Sequence, residues 1–520
     1  MPLSGPPLDQ SVDLCNVLAR GLEAKPDEAA LVSAEGGHTW RDLDRASDRY
    51  AAHLLGMGVR KGDRVASLMP NRNALVIHYL ACMKAGFVAT PLNYRYMPPE
   101  IDHALEVSEA TVLLAHGERD QDLAASKLAP RLPLGVITYG ARNGPGPRFE
   151  ALIERAPHRQ EIPAPSPADP AIIFFTSGST GKPKGVTHTF ETLGWMVASV
   201  VRSFEMSPRD ALMSGASISH IGGYLFSFTA LAAGGRAVIA RSFDGDELLP
   251  LLRQNRPTVL WMLPAALITL VRDHAATRDD FASIRLCISG GDKVPAELER
   301  EFTDLAGFPI DEIYGMSEIG TSNVNPPSGV NKIGSIGRLG PAYRASIRDE
   351  SGTELPTGAE GRLWVKSPCN MVGYWNRPDA TEETIKDGWL DTGDVMKADQ
   401  DGYLWFCGRK KQIIIHDGSN ICPQEVEEAL LEHDAVASAG VVGIHDLVHG
   451  ENVRAYITLQ GGAARPTSQE LIRFARARVG YKAPEQIVVL DEMPLNATGK
   501  VDRVTLKRMA EEHLAGGASG

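Results

Sequence analysis

Ile172-Ile173-Phe174-Phe175-Thr176-Ser177-Gly178-Ser179-Thr180-Gly181-Lys182-Pro183-Lys184-Gly185 is the stretch that decides the fold. Four apolar, β-favouring residues run directly into ten that are almost all Gly, Ser, Thr, Lys or Pro. The apolar run is short enough to be a buried strand. The ten residues after it cannot bury themselves. They include three glycines, four hydroxyls and two ammonium groups. Glycines let backbone N–H groups come close to an anion, while hydroxyls and lysines add donors and charge. A loop of this composition at the end of a buried strand is built to cradle phosphates.

Two common phosphate loops are excluded. A Walker A loop needs Gly-Lys followed by Ser or Thr, whose hydroxyl meets Mg²⁺. Here Gly181-Lys182 is followed by Pro183. No G-x-G-x-x-G fingerprint follows any strand in the sequence. The pattern T-S-G-S-T-G-x-P-K-G closely resembles the phosphate loop of the adenylate-forming enzymes. These are the acyl- and aryl-CoA synthetases, the peptide-synthetase adenylation domains and beetle luciferase. Later motifs extend the resemblance over most of the chain.

Composition agrees with a soluble enzyme of more than one domain. The 520 residues are 43% hydrophobic and 23% charged, ordinary values for globular proteins. A net charge of -12 argues against general binding to nucleic acid or anionic membrane, while local lysines still allow an anionic substrate. Six scattered cysteines without a C-x-x-C pair suit reduced thiols and give no zinc or disulfide framework. The sequence shows no signal-peptide pattern and no apolar run of about 18 residues, so a cytoplasmic enzyme without integral membrane contact is expected.

Along the chain, residues 29–33 and 37–40 read as short strands joined through Gly36-Gly37. A helix is expected from Arg41 to about Leu55, with Leu43, Ala46, Tyr50 and Leu54 on one face. A turn and buried strand over 58–69 and a helix over 73–86 continue the alternation of a parallel α/β sheet. Residues 93–100 form a turn before another helix. A proline-rich connector over 157–170 is expected to be extended and exposed. Strands are expected near 210–213, 237–240, 258–263 and 284–289. From Gly334 the strands shorten, including one over 362–366, which suggests a small β-barrel or sheet on the α/β core. Pro423 opens a helix, and Thr467-Ser468-Gln469-Glu470 is a capping box before Leu471, Phe474 and Val479. The tail from Ala515 is expected to fray.

The resemblance implies a fold and a set of roles. The fold is α/β: a large N-terminal domain of doubly wound sheets plus a small β-barrel, residues 1–409, then a small mobile α+β lid, residues 410–520. ATP and AMP would be held by Thr176, Ser177, Gly178, Ser179, Thr180, Gly181, Lys182 and Lys184, by the Gly290-Gly291 loop, and by Tyr314 stacked on adenine. Tyr314-Gly315-Met316-Ser317-Glu318 matches the family's Y-G-x-T-E with Ser317 in place of Thr. Ser317 would contact the α-phosphate and Glu318 would bind Mg²⁺. Residues 371–375 and 388–394 match further family motifs. Asp394 and Arg409 would take the ribose hydroxyls, and Lys411 would be the hinge between domains. Gln412 departs from the acid common at the next position.

Ser219-His220-Ile221-Gly222-Gly223-Tyr224 resembles the H-x-x-G element that borders the acyl pocket, which places His220 near the substrate carboxylate. Gly222, Gly223, Tyr224, Met262 and Met316 would line that pocket, most of them within the stretches 220–226 and 261–264. Residues 416–423 resemble the loop walling the CoA tunnel, with Gly418 at its centre. Lys500, in the stretch 494–500, matches the catalytic lysine of adenylation. The implied reaction activates a carboxylic acid with ATP to an acyl-AMP and passes the acyl group to CoA, with Mg²⁺ as the metal. No Arg or Lys stands among the pocket candidates, which favours an apolar monocarboxylate, fatty or aryl. A carrier-protein thiol is the alternative acceptor, and the sequence leaves a homodimer open.

Overall fold

A computed structural model describes residues 3–140, 146–155, 162, 164–176, 183–242, 246–409, 412–416, 419–446, 450–461, 465–496 and 499–517. Within it two compact units are distinguishable. The first comprises residues 1–293, 302–345 and 364–391; the second comprises 294–301, 346–363 and 392–520.

The first unit is built on two seven-stranded sheets. One runs in the order Gly373–Tyr374, Lys184–Thr189, Pro170–Thr176, Val88–Pro91, Arg64–Leu68, Val112–His116, Val136–Tyr139. Its neighbours from Pro170–Thr176 to Val136–Tyr139 are parallel, and Lys184–Thr189 adds antiparallel on the other side. The second sheet runs Asp311–Glu312, Leu286–Ser289, Val259–Met262, Ala211–Ser214, Arg236–Ile239, Ala29–Ser33, Gly36–Thr39. It is parallel except for its last pair.

Local chemistry explains the elements. The helix Trp40–Met57 starts on a capping box of Thr39 and Asp42 and stops at Gly58, whose positive φ ends it. Leu43, Ala46, Tyr50 and Leu54 are buried along its inner face, as their spacing requires. Asn73–Ala85 is buried on nearly every side, so no amphipathic stripe marks it. The four expected strands of the second sheet all form, within a residue or two of the expected limits. Residues 172–175 are fully buried within Pro170–Thr176, so the strand leading to the phosphate loop stands in the middle of its sheet. Of the proline-rich connector, Pro157 and Pro163 lie outside the described residues. Pro167 is exposed as expected, while Pro170 already begins the strand.

In the second unit, residues 394–398 of the strand Trp389–Ala398 pair antiparallel with Leu404–Arg409. C-terminal to these, a five-stranded sheet runs Ser419–Ile421, Ile414–His416, Gly450–Leu459, Val436–Asp446, with Gln486–Val489 parallel on Gly450–Leu459. Helices Pro423–Leu431 and Ser468–Val479 bury Val426, Leu430, Leu471, Ile472 and Ala475 with Val441, Val453 and Ile457. Pro423 occupies the first helical turn, and Thr467 and Glu470 form the capping box. Phe474 and Val479 are less buried than their spacing suggests. Phe474 instead carries the Arg478 guanidinium 3.4 Å from its ring centre. The last helix continues through Gly517, past the expected start of fraying.

Candidate functional site

Thr176 closes the strand Pro170–Thr176, and Lys184 opens the strand that returns beside it, with Thr176 opposite Lys184 in the register. Residues Ser177, Gly178, Ser179, Thr180, Gly181 and Lys182 lie outside the described residues. Both strands holding the loop's ends are pinned at the backbone. The returning strand pairs on its far side with Gly373–Tyr374, and Trp375 N–H donates to Gly185 O at 2.7 Å. A side chain at Gly185 would meet Ile173 Cγ2 at 2.7 Å, so close approach of the chains requires glycine there.

The corner over residues 314–318 is a hairpin. Tyr314–Met316 pairs antiparallel with Gly320–Val324, and a Cβ on Gly315 would lie 2.3 Å from Gly320 O. Tyr314 and Glu318 are buried. Glu318 Oε1 accepts a hydrogen bond from the Tyr374 hydroxyl at 2.9 Å, and Glu318 O accepts from Met371 N–H at 2.7 Å. Burial, and then the nearby Glu318 charge, push the Tyr374 hydroxyl far up, so it stays protonated and donates. The same phenol ring sits under the Lys184 ammonium, 4.1 Å from ring centre to Nζ.

His188, on the strand after the phosphate loop, holds the corner from another side. Its Nε2 lies 2.7 Å from Ser317 O and its Nδ1 3.2 Å from Thr192 Oγ1. A carbonyl only accepts, so the hydrogen-bond pattern assigns the proton to Nε2. Burial lowers the His188 pKa to about 4, so the ring is neutral at neutral pH.

His220 occupies the N-cap position of the helix Ile221–Ala232. Asn93 Oδ1 accepts from Arg95 N–H at 2.9 Å, which turns the Asn93 amide nitrogen toward His220 Nε2 at 3.2 Å. Nothing in the sequence singles out Asn93 beyond its place at the start of the 93–100 turn. Tyr224 is packed inside the protein with its ring 5.2 Å from Tyr79, 5.5 Å from Phe174 and 4.6 Å from Phe228. Phe226 stacks on Trp261 at 4.4 Å.

Met262 lies by Gly215. Its sulfur stands 2.6 Å from where a Gly215 Cβ would be, and Leu248 and Ala266 are the next neighbours of that point. Side chains alternate along a strand, so Trp261 and Leu263 take the other face. Trp261 Cζ2 lies 3.0 Å from a Cβ placed on Gly222, and Leu263 Cδ2 lies 3.1 Å from one on Gly291. A Cβ on Gly223 would strike Ser217 O at 2.3 Å, and one on Gly290 would strike Ile313 O at 2.9 Å. These two glycines are required by chain packing. Gly291 has φ +83° and needs glycine for its backbone conformation.

Asp394, Arg409 and Lys500 belong to the second unit. Asp394 falls on an inward position of Trp389–Ala398, where its carboxylate is 1% exposed. A lone buried charge is costly. Arg409, its register partner, brings Nε to 3.0 Å from Asp394 Oδ1. The Thr392 hydroxyl accepts from Asp394 N–H at 3.2 Å and donates to Leu363 O at 2.8 Å. Lys500 rides on a tight turn. Leu495 and Val501 form a bridge across it, Asn496 N–H donates to Lys500 O at 2.7 Å, and Lys500 N–H donates to Asn496 Oδ1 at 3.1 Å. The next helix is tied back through Arg503, whose guanidinium meets Glu427 at 2.5 Å. Lys411 and Gly418 lie outside the described residues.

The described residues thus hold two paired strands flanking the glycine- and hydroxyl-rich stretch, a buried acid bonded by a hydroxyl, and a carboxylate–guanidinium pair. The AMP-binding enzyme family matches residues 18–375, and its C-terminal domain matches residues 425–500. The chain belongs to the AMP-binding enzymes. They are acid–thiol ligases that form adenylates, and the α/β fold expected from the sequence is the one found. The chain is 33% identical to a feruloyl-CoA synthase from Amycolatopsis sp., over 94% of this chain and 97% of that protein. It is 32% identical to an indoleacetate–CoA ligase from Aromatoleum aromaticum, over 96% and 98%. ATP-bound MatB from Rhodopseudomonas palustris superposes with a TM-score of 0.87 at 29% identity, covering 95% of this chain and 98% of that one. Among the described residues no helix is long and apolar enough to cross a membrane.

A metal fits the corner in one specific mode. Among the described residues no group of three His, Cys, Asp or Glu could cage an ion. Mg²⁺ in nucleotide sites is held by one or two carboxylates plus phosphate oxygens and water. A single buried Glu318, with Ser317 beside it, suits that mode.

Proposed function

We propose that this enzyme activates an apolar monocarboxylate with ATP, forming an acyl-AMP and pyrophosphate, and then transfers the acyl group to CoA. The observation that carries the reading is Glu318, buried with its carboxylate bonded by Tyr374 and its backbone by Met371, on a hairpin next to the two strands that hold the phosphate loop. Likeness over nearly the whole chain to ligases named for feruloyl and indoleacetyl groups supports an aryl acid. The apolar and small residues Trp261, Leu263, Gly222 and Gly291 agree with such a substrate.

In this reading the loop over residues 176–184 holds the β- and γ-phosphates, Tyr314 flanks adenine, and Asp394 with Arg409 takes the ribose. Glu318 and Ser317 would hold Mg²⁺, which supplies positive charge to the phosphate oxygens. The substrate carboxylate, set beside His220, attacks the α-phosphorus, and pyrophosphate leaves. Lys500 places a fixed ammonium against the charge that grows on the transferring phosphoryl group. Residues 410–520 form the mobile lid, hinged at Lys411, and the 416–423 loop with Gly418 lines the path of the CoA thiol. CoA rather than a carrier protein is the proposed acceptor.

The test is a panel of carboxylic acids graded in chain length and ring content, each scored by AMP formation with CoA present. Cinnamate-, benzoate- and arylacetate-type acids are expected to be turned over best. Preference for long alkyl acids, or turnover only with a carrier protein, would overturn the respective part of the reading.

A further inference from the structure

Tyr374 stands where two parts of the site meet. Its hydroxyl donates to Glu318 Oε1 at 2.9 Å, and its ring lies 4.1 Å under the Lys184 ammonium. Its backbone belongs to the short strand Gly373–Tyr374, paired with Val186 and Thr187 on the strand that leaves the phosphate loop. The same segment grips both neighbours through the main chain. Met371 N–H donates to Glu318 O at 2.7 Å, Val372 N–H to Thr187 O at 3.0 Å, and Trp375 N–H to Gly185 O at 2.7 Å. Gly373 has φ +151°, and Thr381 Oγ1 accepts from Tyr374 N–H at 2.9 Å. The ring is therefore fixed by its own strand and does not depend on Glu318 or Lys184 for its place.

The chemistry of the contacts is complementary. A carboxylate has two oxygens, and a hydroxyl on one of them restricts the rotation of both. Groups that orient a metal-binding carboxylate matter nearly as much as the carboxylate itself. An aromatic face holds an ammonium without neutralising it. One phenol thus touches both the Glu318 carboxylate and the Lys184 ammonium.

We propose that Tyr374 is a positioning residue for adenylation, orienting the Glu318 carboxylate for Mg²⁺ through its hydroxyl and the Lys184 ammonium for phosphate through its ring. This rests on the reading of Glu318 as the metal-binding acid.

The two functions separate by substitution. Tyr374→Phe removes the hydroxyl and keeps the ring; Tyr374→Leu removes both. Mn²⁺ bound to the enzyme–ATP complex is counted by the electron paramagnetic resonance of free Mn²⁺, and ATP affinity is measured by calorimetry. Tyr374→Phe is expected to weaken Mn²⁺ binding about tenfold and to raise the Mg²⁺ needed for half-maximal acyl-AMP formation equally. Its ATP affinity without metal should stay near the parent's. Tyr374→Leu should lose ATP affinity as well. Tyr374→His, which keeps a ring and a donor, should recover part of the Mn²⁺ affinity and covers the case where the leucine variant does not fold.

Glu318→Gln run alongside distinguishes the two ideas. Weak Mn²⁺ binding in Glu318→Gln with parental binding in Tyr374→Phe would overturn the role of Tyr374 alone. Parental Mn²⁺ binding in both would overturn the reading of Glu318, and the proposal with it. A lowered melting temperature in Tyr374→Phe without any change in metal affinity would make Tyr374 a packing residue and also overturn it.

Discussion

The acidic corner around Glu318 and the turn around Lys500 are built in opposite ways. The corner is embedded: Ser317 O is held by His188, Glu318 O by Met371, and the Glu318 carboxylate by Tyr374. His188 and Tyr374 lie on strands of the first unit, and Met371 lies two residues before the strand of Tyr374. Lys500 sits on a turn of the second unit where, among the described residues, Leu495 and Val501 form a bridge and Asn496 makes hydrogen bonds. Groups that bind the nucleotide in its ground state gain from being fixed in a sheet. A group needed only in one half of a two-step reaction gains from a place that can be brought in and withdrawn. The difference in construction agrees with the proposed roles, Glu318 in binding and Lys500 in the transient charge of adenylation.

The sharpest way to break that comparison is Lys500→Ala. Acyl-AMP formation from acid and ATP is expected to fall on the order of 10²–10³-fold, the cost of one positioned charge at a transition state. Thioester formation from supplied acyl-AMP and CoA should largely persist. Equal loss of both half-reactions, measured by pyrophosphate exchange and by acyl-CoA release, would mean that Lys500 is not confined to adenylation.

Next in size is the proposed hinge at Lys411. Proline fixes φ near −65° and removes a donor, so Lys411→Pro should freeze that position. Adenylation is expected to stay within about tenfold, roughly 1.4 kcal/mol of barrier, while thioester formation falls much further. A variant that makes thioester as fast as the parent would place the hinge elsewhere.

A smaller effect sharpens the embedded side. Gly290→Ala would press a methyl against Ile313, whose Cγ1 would stand 2.7 Å away. Overpacking of this kind costs about 1–3 kcal/mol. A lower denaturant midpoint is expected, and an unchanged one would show that the loop yields.

The smallest effect concerns pH. His78 and His188 are each buried, with pKa lowered to about 4 by burial. The unfolded chain therefore binds more protons than the folded one between about pH 4 and 6.5, and stability rises with pH across that window. The stability is complete above pH 6.5 and is lost as pH falls toward 4. Melting temperatures of the parent should drop over this range. His188→Gln, whose amide can still donate to Ser317 O, should flatten the slope while lowering the midpoint at neutral pH. An equal slope in the variant would remove His188 from the cause.

Much of this was legible in the sequence because it rests on local patterns. The apolar run over 172–175, the capping boxes at Thr39 and Thr467, and the glycine stop at Gly58 all declare themselves within a few residues. The candidate residues themselves sit in short motifs. What holds them could not be read that way. Tyr374 lies inside a family motif, yet its bond to Glu318 spans 56 positions, and that from His188 to Ser317 spans 129. The side that Met262 faces is hidden from the sequence for a related reason. Alternation along Val259–Met262 says that Trp261 and Met262 face opposite ways, but only the fold says which side holds Gly222.

The central claim is that this chain joins an acid to CoA through an adenylate. Purified protein with ATP, Mg²⁺ and an aryl acid, followed by phosphorus NMR before and after CoA is added, tests it most directly. Acid-dependent appearance of pyrophosphate and an acyl-AMP resonance is expected without CoA, and its conversion to AMP and acyl-CoA once CoA is present. ADP and orthophosphate as products, or pyrophosphate release that needs no acid, would contradict it.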